Sequence, residues 1–344
     1  MTTLVAGPDL AAGLVLFALA PAVLAALISA CITWQSMPLL QRYALARPNA
    51  RSSHRIPTPQ GAGIAVVAAT LLVAACWAAW TYGAIPLPLI VSAVLIATVG
   101  LVDDIRPLPV LLRLVLQAGA VAAVVFTTPE TLRIVPAVPL ALERGLILLA
   151  GIWFVNLVNF MDGLDLMTVA EVVPVTAALG LFGWYGDLSP SAALLATALC
   201  GAMLGFAPFN RPAAKVFLGD VGSLPIGLLL GWCLLELAWH GQPAAALLLP
   251  AYYLSDSTIT LFRRIARREP FWSAHRTHFY QRATDNGFTV KQVTAEVFAL
   301  NLVLALLAVV SVRAGSMPVT IVALFAGAAA VAFVLRRFAR PQAS

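Results

Sequence analysis

Charge is what this sequence has least of. Asp, Glu, Lys and Arg make up 10% of its 344 residues, against 61% hydrophobic residues, where an average soluble domain is about a quarter charged. That shortfall, with a mean hydropathy of +0.93, excludes a soluble domain and leaves an integral membrane protein. Cysteine is scarce as well. Cys31, Cys76, Cys200 and Cys233 all lie inside apolar runs, so neither a disulfide framework nor a zinc-ligand spacing is present. The formal net charge is +6, but the basic residues are scattered between apolar runs. This pattern speaks for membrane orientation and against nucleic-acid binding. Ile28-Ser29-Ala30-Cys31 has the shape of a lipoprotein cleavage site. No Lys or Arg precedes it, and the apolar run before it is too long for a signal peptide. The first run is therefore read as a retained span.

Apolar runs are what the chain has in abundance. A helix needs about 20 apolar residues to cross a bilayer. Candidates fall at 8–33, 62–81, 86–102, 110–126, 142–158, 168–184, 191–208, 223–240, 243–262, 292–312 and 317–335. The expectation is an all-α, polytopic membrane protein of about 10–11 spans, read as one domain over 1–344 because no internal repeat is visible. Alternating the spans puts 18 of the 21 Lys and Arg on one side; only Arg133, Arg144 and Arg313 fall on the other. By the positive-inside rule the rich side is cytoplasmic, with the N-terminus outside and the C-terminus inside.

The polar residues segregate to that same side, in five segments. The first carries Arg51, His54 and Arg55 among prolines and glycines. It suits either a phosphate held by charge-assisted hydrogen bonds or a positive-inside anchor. The second carries Asp103-Asp104, adjacent acids that repel unless a cation lies near. Arg106 is one candidate partner and a divalent cation the other. The third holds Asn156, Asn159 and Asp162, three apart and so near one helix face, then Gly163 and Asp165. The fourth is Phe217-Leu218-Gly219-Asp220-Val221-Gly222-Ser223, one carboxylate among glycines at the mouth of a span. The fifth and most basic includes His275, Arg276 and His278, an anion clamp or a headgroup anchor. Asp256, inside the preceding span, is a further acid in need of a partner. Five polar segments on one face point to a site at the cytoplasmic membrane surface.

In this order the segments resemble the polyprenyl-phosphate N-acetylhexosamine-1-phosphate transferase family, which includes phospho-MurNAc-pentapeptide translocase and enzymes that initiate O-antigen and related glycans. The matching stretches are Pro48-Asn49 with Ser53-His54 and Pro57-Thr58-Pro59, Asp103-Asp104, Asn156 through Asp165, Phe217 through Ser223, and His275-Arg276-x-His278. The His-x-x-His-x-Tyr-Gln form is more similar to the O-antigen branch than to the peptidoglycan branch. The resemblance implies transfer of N-acetylhexosamine 1-phosphate from a UDP-sugar to undecaprenyl phosphate, at the bacterial inner membrane. The products are undecaprenyl-diphosphate-linked sugar and UMP, and Mg²⁺ is needed, with Mn²⁺ as an alternative ion. It implies Asp220 as metal ligand, Phe217 as a platform for uracil, and Asn159 and Asp165 on the nucleotide side. Asp103 and Asp104 would lie by the lipid phosphate, and His275 and His278 by the donor phosphates. Asn156, Asp162, Arg276, Arg51, His54 and Arg55 complete the substrate-binding candidates. A homodimer is compatible with this reading.

Two positions depart from the family pattern. Ala62 and Leu166 stand where the family usually has glycine, which touches the fit of sugar or nucleotide and removes no charged group. The competing class is a transporter or flippase of anionic lipid-linked sugars. Transporters, however, gather polar groups near the midplane in repeated, broken helices.

Overall fold

The computed structural model describes residues 19–46, 57–81, 84–270 and 275–342. Arg51, His54 and Arg55 lie outside the described residues. Among these residues the chain is a bundle of thirteen α-helices with one short ribbon. Helix α1 (Ala20–Tyr43) leads into the ribbon, where β1 (Leu45–Ala46) pairs antiparallel with β2 (Thr58–Pro59). There follow α2 (Gly63–Thr81), α3 (Leu87–Ile105), α4 (Val110–Thr127), α5 (Leu140–Met161), α6 (Met167–Trp184) and α7 (Pro190–Phe206). Then come α8 (Asp220–Trp239), α9 (Pro243–Leu248), α10 (Ala251–Ala266), α11 (Phe279–Asp285), α12 (Val290–Ala314) and α13 (Met317–Phe338). Ten of these helices are long and apolar enough to cross a membrane.

Two expected spans have different bounds. The first helix continues to Tyr43, past the expected end at 33, with Pro38 inside it. The expected span 243–262 is two helices, α9 and α10, separated at Leu249 and Pro250. Proline lacks the N–H that a continuous helix would use there. Helix α10 is also the least apolar of the long helices, since it carries Asp256, Arg263 and Arg264.

Helix α8 is the axis of the bundle, and its side chains are buried along most of its length from Val221 to Trp239. It packs against α3 and α5, and its first turn meets that of α2. A Cβ placed on Gly63 would lie 2.2 Å from Gly222 Cα, so only two glycines let these helix starts touch. Buried polar pairs tie the outer helices on. Asn301 of α12 donates to Glu171 Oε2 of α6 at 2.7 Å and to the Ala170 carbonyl at 3.0 Å.

The three basic residues of the sparse side all sit at the end remote from the start of α8. Arg144 donates to the carbonyls of Val125 and Pro129 and lies over Trp239, at the far end of α8. Arg133 pairs with Glu143 at 2.5 Å, and Arg313 lies over the Tyr185 ring beyond α6.

Candidate functional site at one face of the bundle

The site is built on the start of α8. Gly219 precedes it at φ +76°, in the region that favours glycine, and a Cβ there would lie 2.5 Å from Asp104 Oδ2. The segment 59–63 zips onto the residues before it. Phe217 N–H donates to the Pro59 carbonyl at 2.8 Å, Gly61 and Ala62 N–H donate to the Phe217 carbonyl, and Gly63 N–H donates to that of Leu218. Asp104, at the end of α3, then accepts from the backbone N–H of Asp220 (3.0 Å) and of Val221 (3.1 Å). A carboxylate here satisfies two open donors of a helix start and lies at its positive end. Both Asp104 oxygens are therefore engaged with backbone.

The side chain of Asp220 points into different company. Its Oδ1 accepts from Asn159 Nδ2 at 2.8 Å, and Asn159 also donates to Ser223 Oγ at 2.9 Å. Its Oδ2 faces Arg113 Nη1 at 3.5 Å. The same Nη1 is 2.6 Å from Asp103 Oδ2, while Asp103 Oδ1 accepts from Leu108 N–H at 2.6 Å. One oxygen from each of two helices, α3 and α8, thus converges on a single cationic nitrogen supplied by α4. Arg106, the partner expected for the acid pair, is exposed, and Arg113 takes that place.

The end of α5 forms the next wall. Asn159 lies inside the helix, and Asp162 follows its last residue, Met161. Asp162 accepts from the Thr168 hydroxyl at 2.5 Å. Its carboxyl is pushed up to about 7, first by burial and then by the charges of Asp220 and Asp165, against the opposing Thr168 bond. Asp165 accepts from Ala214 N–H at 3.1 Å. Leu166 adopts φ +62° and donates its N–H to Asn210 Oδ1 at 2.7 Å, while Asn210 Nδ2 reaches the Val216 carbonyl. The loops at 162–166 and 210–217 are thereby sewn together, with a left-handed non-glycine residue held at the join. Asn156 turns elsewhere and donates to Gln117 Oε1 of α4 at 2.8 Å.

The His segment docks beside the end of α5. Asp256 of α10 is fully buried. It accepts from the N–H of Phe279 (3.0 Å) and Tyr280 (3.1 Å), from the hydroxyls of Tyr252 and Thr260, and contacts His278 Nδ1 at 3.2 Å. Tyr280 sends its hydroxyl to the Phe160 carbonyl at 2.9 Å. A Cβ on Gly163 would lie 2.2 Å from that hydroxyl oxygen, so the glycine is what admits the tyrosine. The helical turn expected to align the two histidines begins only at Phe279. Their rings nevertheless stack with centroids 4.9 Å apart. Arg276 points along α11, to Thr284 at 2.9 Å and Asp285 at 3.3 Å.

Of the residues singled out from sequence, Asp103, Asp104, Asn159, Phe217 and Asp220 come together around the start of α8. Asp162, Asp165, His275 and His278 line the neighbouring wall, and Asn156 and Arg276 bond away from the acids. Arg113, Gln117 and Thr168 were not anticipated, nor was Gln60, which donates to the Asp104 carbonyl at 3.0 Å. Arg113 carried a signal, because an arginine within an apolar helix is a functional candidate by default.

The acids can be tested against a cation. Asp103 and Asp220 present one oxygen each to a common point that Arg113 Nη1 faces, and two carboxylate oxygens suit an ion that keeps waters and takes substrate phosphates. The fold and site define a polytopic helical membrane protein with a mixed acidic and histidine site at one face.

Comparison narrows that class. Residues 86–238 match the model of glycosyl transferase family 4. The segment holds every site acid from Asp103 to Asp220 and stops short of the histidines. The chain is similar to the decaprenyl-phosphate N-acetylglucosaminephosphotransferase of Mycolicibacterium smegmatis, 32% identical over 223 residues, covering 58% of this chain and about half (54%) of that protein. The similarly named protein of Mycobacterium leprae is 28% identical over 296 residues, 74% of this chain and 73% of the relative. A Bacillus subtilis protein named as a probable undecaprenyl-phosphate N-acetylglucosaminyl 1-phosphate transferase is 24% identical over 295 residues, 79% of this chain and 80% of its own.

Proposed function

We propose that the chain transfers N-acetylhexosamine 1-phosphate from a UDP-sugar to undecaprenyl phosphate at the cytoplasmic face of a bacterial inner membrane, initiating a cell-envelope polysaccharide of the O-antigen type. The observation that carries this reading is the convergence of Asp103 and Asp220 on one cation position beside a histidine wall. Such a site neutralises phosphates. N-acetylglucosamine leads among the donor sugars, because the relatives above are named for it.

The residues divide the work by charge. Asp220 and Asp103 would hold Mg²⁺, or Mn²⁺ in its place. When bound, the ion supplies charge neutralisation on the diphosphate. Asn159 keeps Asp220 aimed, since its amide holds one Asp220 oxygen and leaves the other toward the site. His275 and His278 face the donor phosphates and take up charge as the bond to UMP breaks. Phe217, half-buried at the mouth, offers a ring for the base, and Asp165 lies on the nucleotide side. A phosphate monoester has a second pKa of about 6, so the lipid phosphate is mostly dianionic near neutrality. One of its oxygens attacks the phosphorus bearing the sugar. The bond from that phosphorus to the bridging oxygen breaks, and UMP leaves with the electron pair.

Asp220→Asn tests the assignment. The variant retains a side chain that Asn159 can bond, and we expect sugar 1-phosphate transfer in detergent to fall at least about 100-fold, the scale of losing a principal electrostatic element. Undiminished transfer by the folded variant would remove Asp220 from the site.

A further inference from the structure

Among the described residues, Arg113 is the one cation that touches both acids of the proposed ion site. It sits in the first turn of α4 with a quarter of its side chain exposed, and its Nη1 contacts Asp103 Oδ2 and Asp220 Oδ2 at 2.6 and 3.5 Å. These are the oxygens a divalent ion would take, because the other two are occupied. Asp103 Oδ1 binds Leu108 N–H and Asp220 Oδ1 binds Asn159. Asp104 offers no alternative, since both its oxygens hold the start of α8. A guanidinium at contact distance of both oxygens competes with a divalent cation for them, and the two positive charges repel at this distance.

Resting on the ion site assigned above, we infer that Arg113 is the exchangeable counter-ion of that site. It neutralises Asp103 and Asp220 while no metal is bound, and it is displaced when a divalent ion enters. The long arginine side chain is anchored on α4 beside the acids, so displacement releases a planar donor group at the mouth where phosphates arrive. Guanidinium is suited to bidentate phosphate contacts. The exchange keeps the acids from lying uncompensated between turnovers, and it makes a free phosphate-binding arginine conditional on the ion being in place.

The test is Mn²⁺ binding to the full chain in detergent, read from the loss of the EPR signal of free aqueous Mn²⁺, for wild type, Asp220→Asn, Arg113→Ala, Arg113→Gln and Arg106→Ala. Arg106→Ala removes the same charge from an exposed position nearby. Removal of a competing charge at contact distance should tighten Mn²⁺ binding about tenfold in Arg113→Ala. Arg113→Gln should behave alike and serves if the alanine variant fails to fold. Arg106→Ala should stay within about twofold of wild type, as expected for a screened surface charge. Binding in wild type, lost in Asp220→Asn but unchanged or weakened in both Arg113 variants, overturns the exchange and leaves the ion site standing. Equal tightening in Arg106→Ala also overturns it, by reducing the effect to general charge. Absence of Mn²⁺ binding in wild type and in both Arg113 variants overturns the ion site, and the exchange with it.

Discussion

Two helix starts on the same face are braced by the same device and put to opposite electrostatic use. At α8, Asp104 from a preceding helix accepts two consecutive backbone N–H groups, of Asp220 and Val221. At α11, Asp256 from a preceding helix accepts those of Phe279 and Tyr280. The first brace presents a carboxylate, Asp220, which faces Arg113. The second presents His278 stacked on His275. In the function proposed above, the first would take a cation and the second an anion. The acids that look alike in sequence therefore differ in role. Asp104 and Asp256 organise backbone, whereas Asp103 and Asp220 keep oxygens toward the site.

The comparison breaks first at Asp256. It is fully buried and serves five donors. Asp256→Ala leaves them without an acceptor, at a cost of roughly 3–5 kcal/mol for disrupting a buried charged network. The variant should unfold at a clearly lower temperature in detergent and lose transfer activity. An unchanged melting temperature would mean that the brace does not hold the histidines.

Asp104→Asn is the milder counterpart, since asparagine keeps one acceptor at the start of α8. Loss of a charged cap costs about 1–2 kcal/mol. We expect a lower melting temperature and lower kcat with Mn²⁺ affinity nearly retained, whereas Asp103→Asn weakens Mn²⁺ binding directly. If the two variants lose Mn²⁺ alike, the division between bracing and site acids is wrong.

Glycine contacts set a third test. Gly63→Ala puts a methyl against Gly222 backbone, at 2.2 Å from its Cα, and overpacking of this kind costs about 1–3 kcal/mol. Gly119→Ala on α4 meets nothing within 4 Å and should stabilise by up to ~1 kcal/mol through helix propensity. Thermal melts of the pair separate the close approach from a general intolerance of alanine.

A further effect concerns pH. Asp162 is held at about 7 in the fold, against about 3.9 for an unperturbed Asp. The folded state then binds more protons than the unfolded chain between those values, so this group makes stability fall as pH rises through that window and stay level above it. Asp162→Asn should flatten that slope in melts taken from pH 4 to 8. A slope that persists unchanged assigns it to another group.

The helical membrane fold was legible because span length and loop charge are summed properties that tolerate local error. The boundaries that moved have physical reasons. Pro250 divides what reads as one apolar run, and α1 continues through polar Gln35 and Gln41 to Tyr43. The residue types of the site were legible too, since acids, amides and histidines stand out against apolar spans. Which acid braces and which stays open was not, because that depends on backbone N–H groups more than 100 positions away in the chain, as between Asp104 and Asp220. The choice of Arg113 over Arg106 depends likewise on how α3 and α4 pack. Asp256 was visible as an acid lacking a reason, and the fold supplies it through the start of α11.

Product identity tests the central claim most directly. The purified protein, with UDP-N-acetylglucosamine or another UDP-N-acetylhexosamine, undecaprenyl phosphate and Mg²⁺ in detergent, should release UMP in equal amount to a new lipid-diphosphate-linked sugar, and chelation should stop both. Release of UDP in place of UMP, or passage of a lipid-linked sugar across a vesicle membrane with no nucleotide released, would contradict a sugar 1-phosphate transferase.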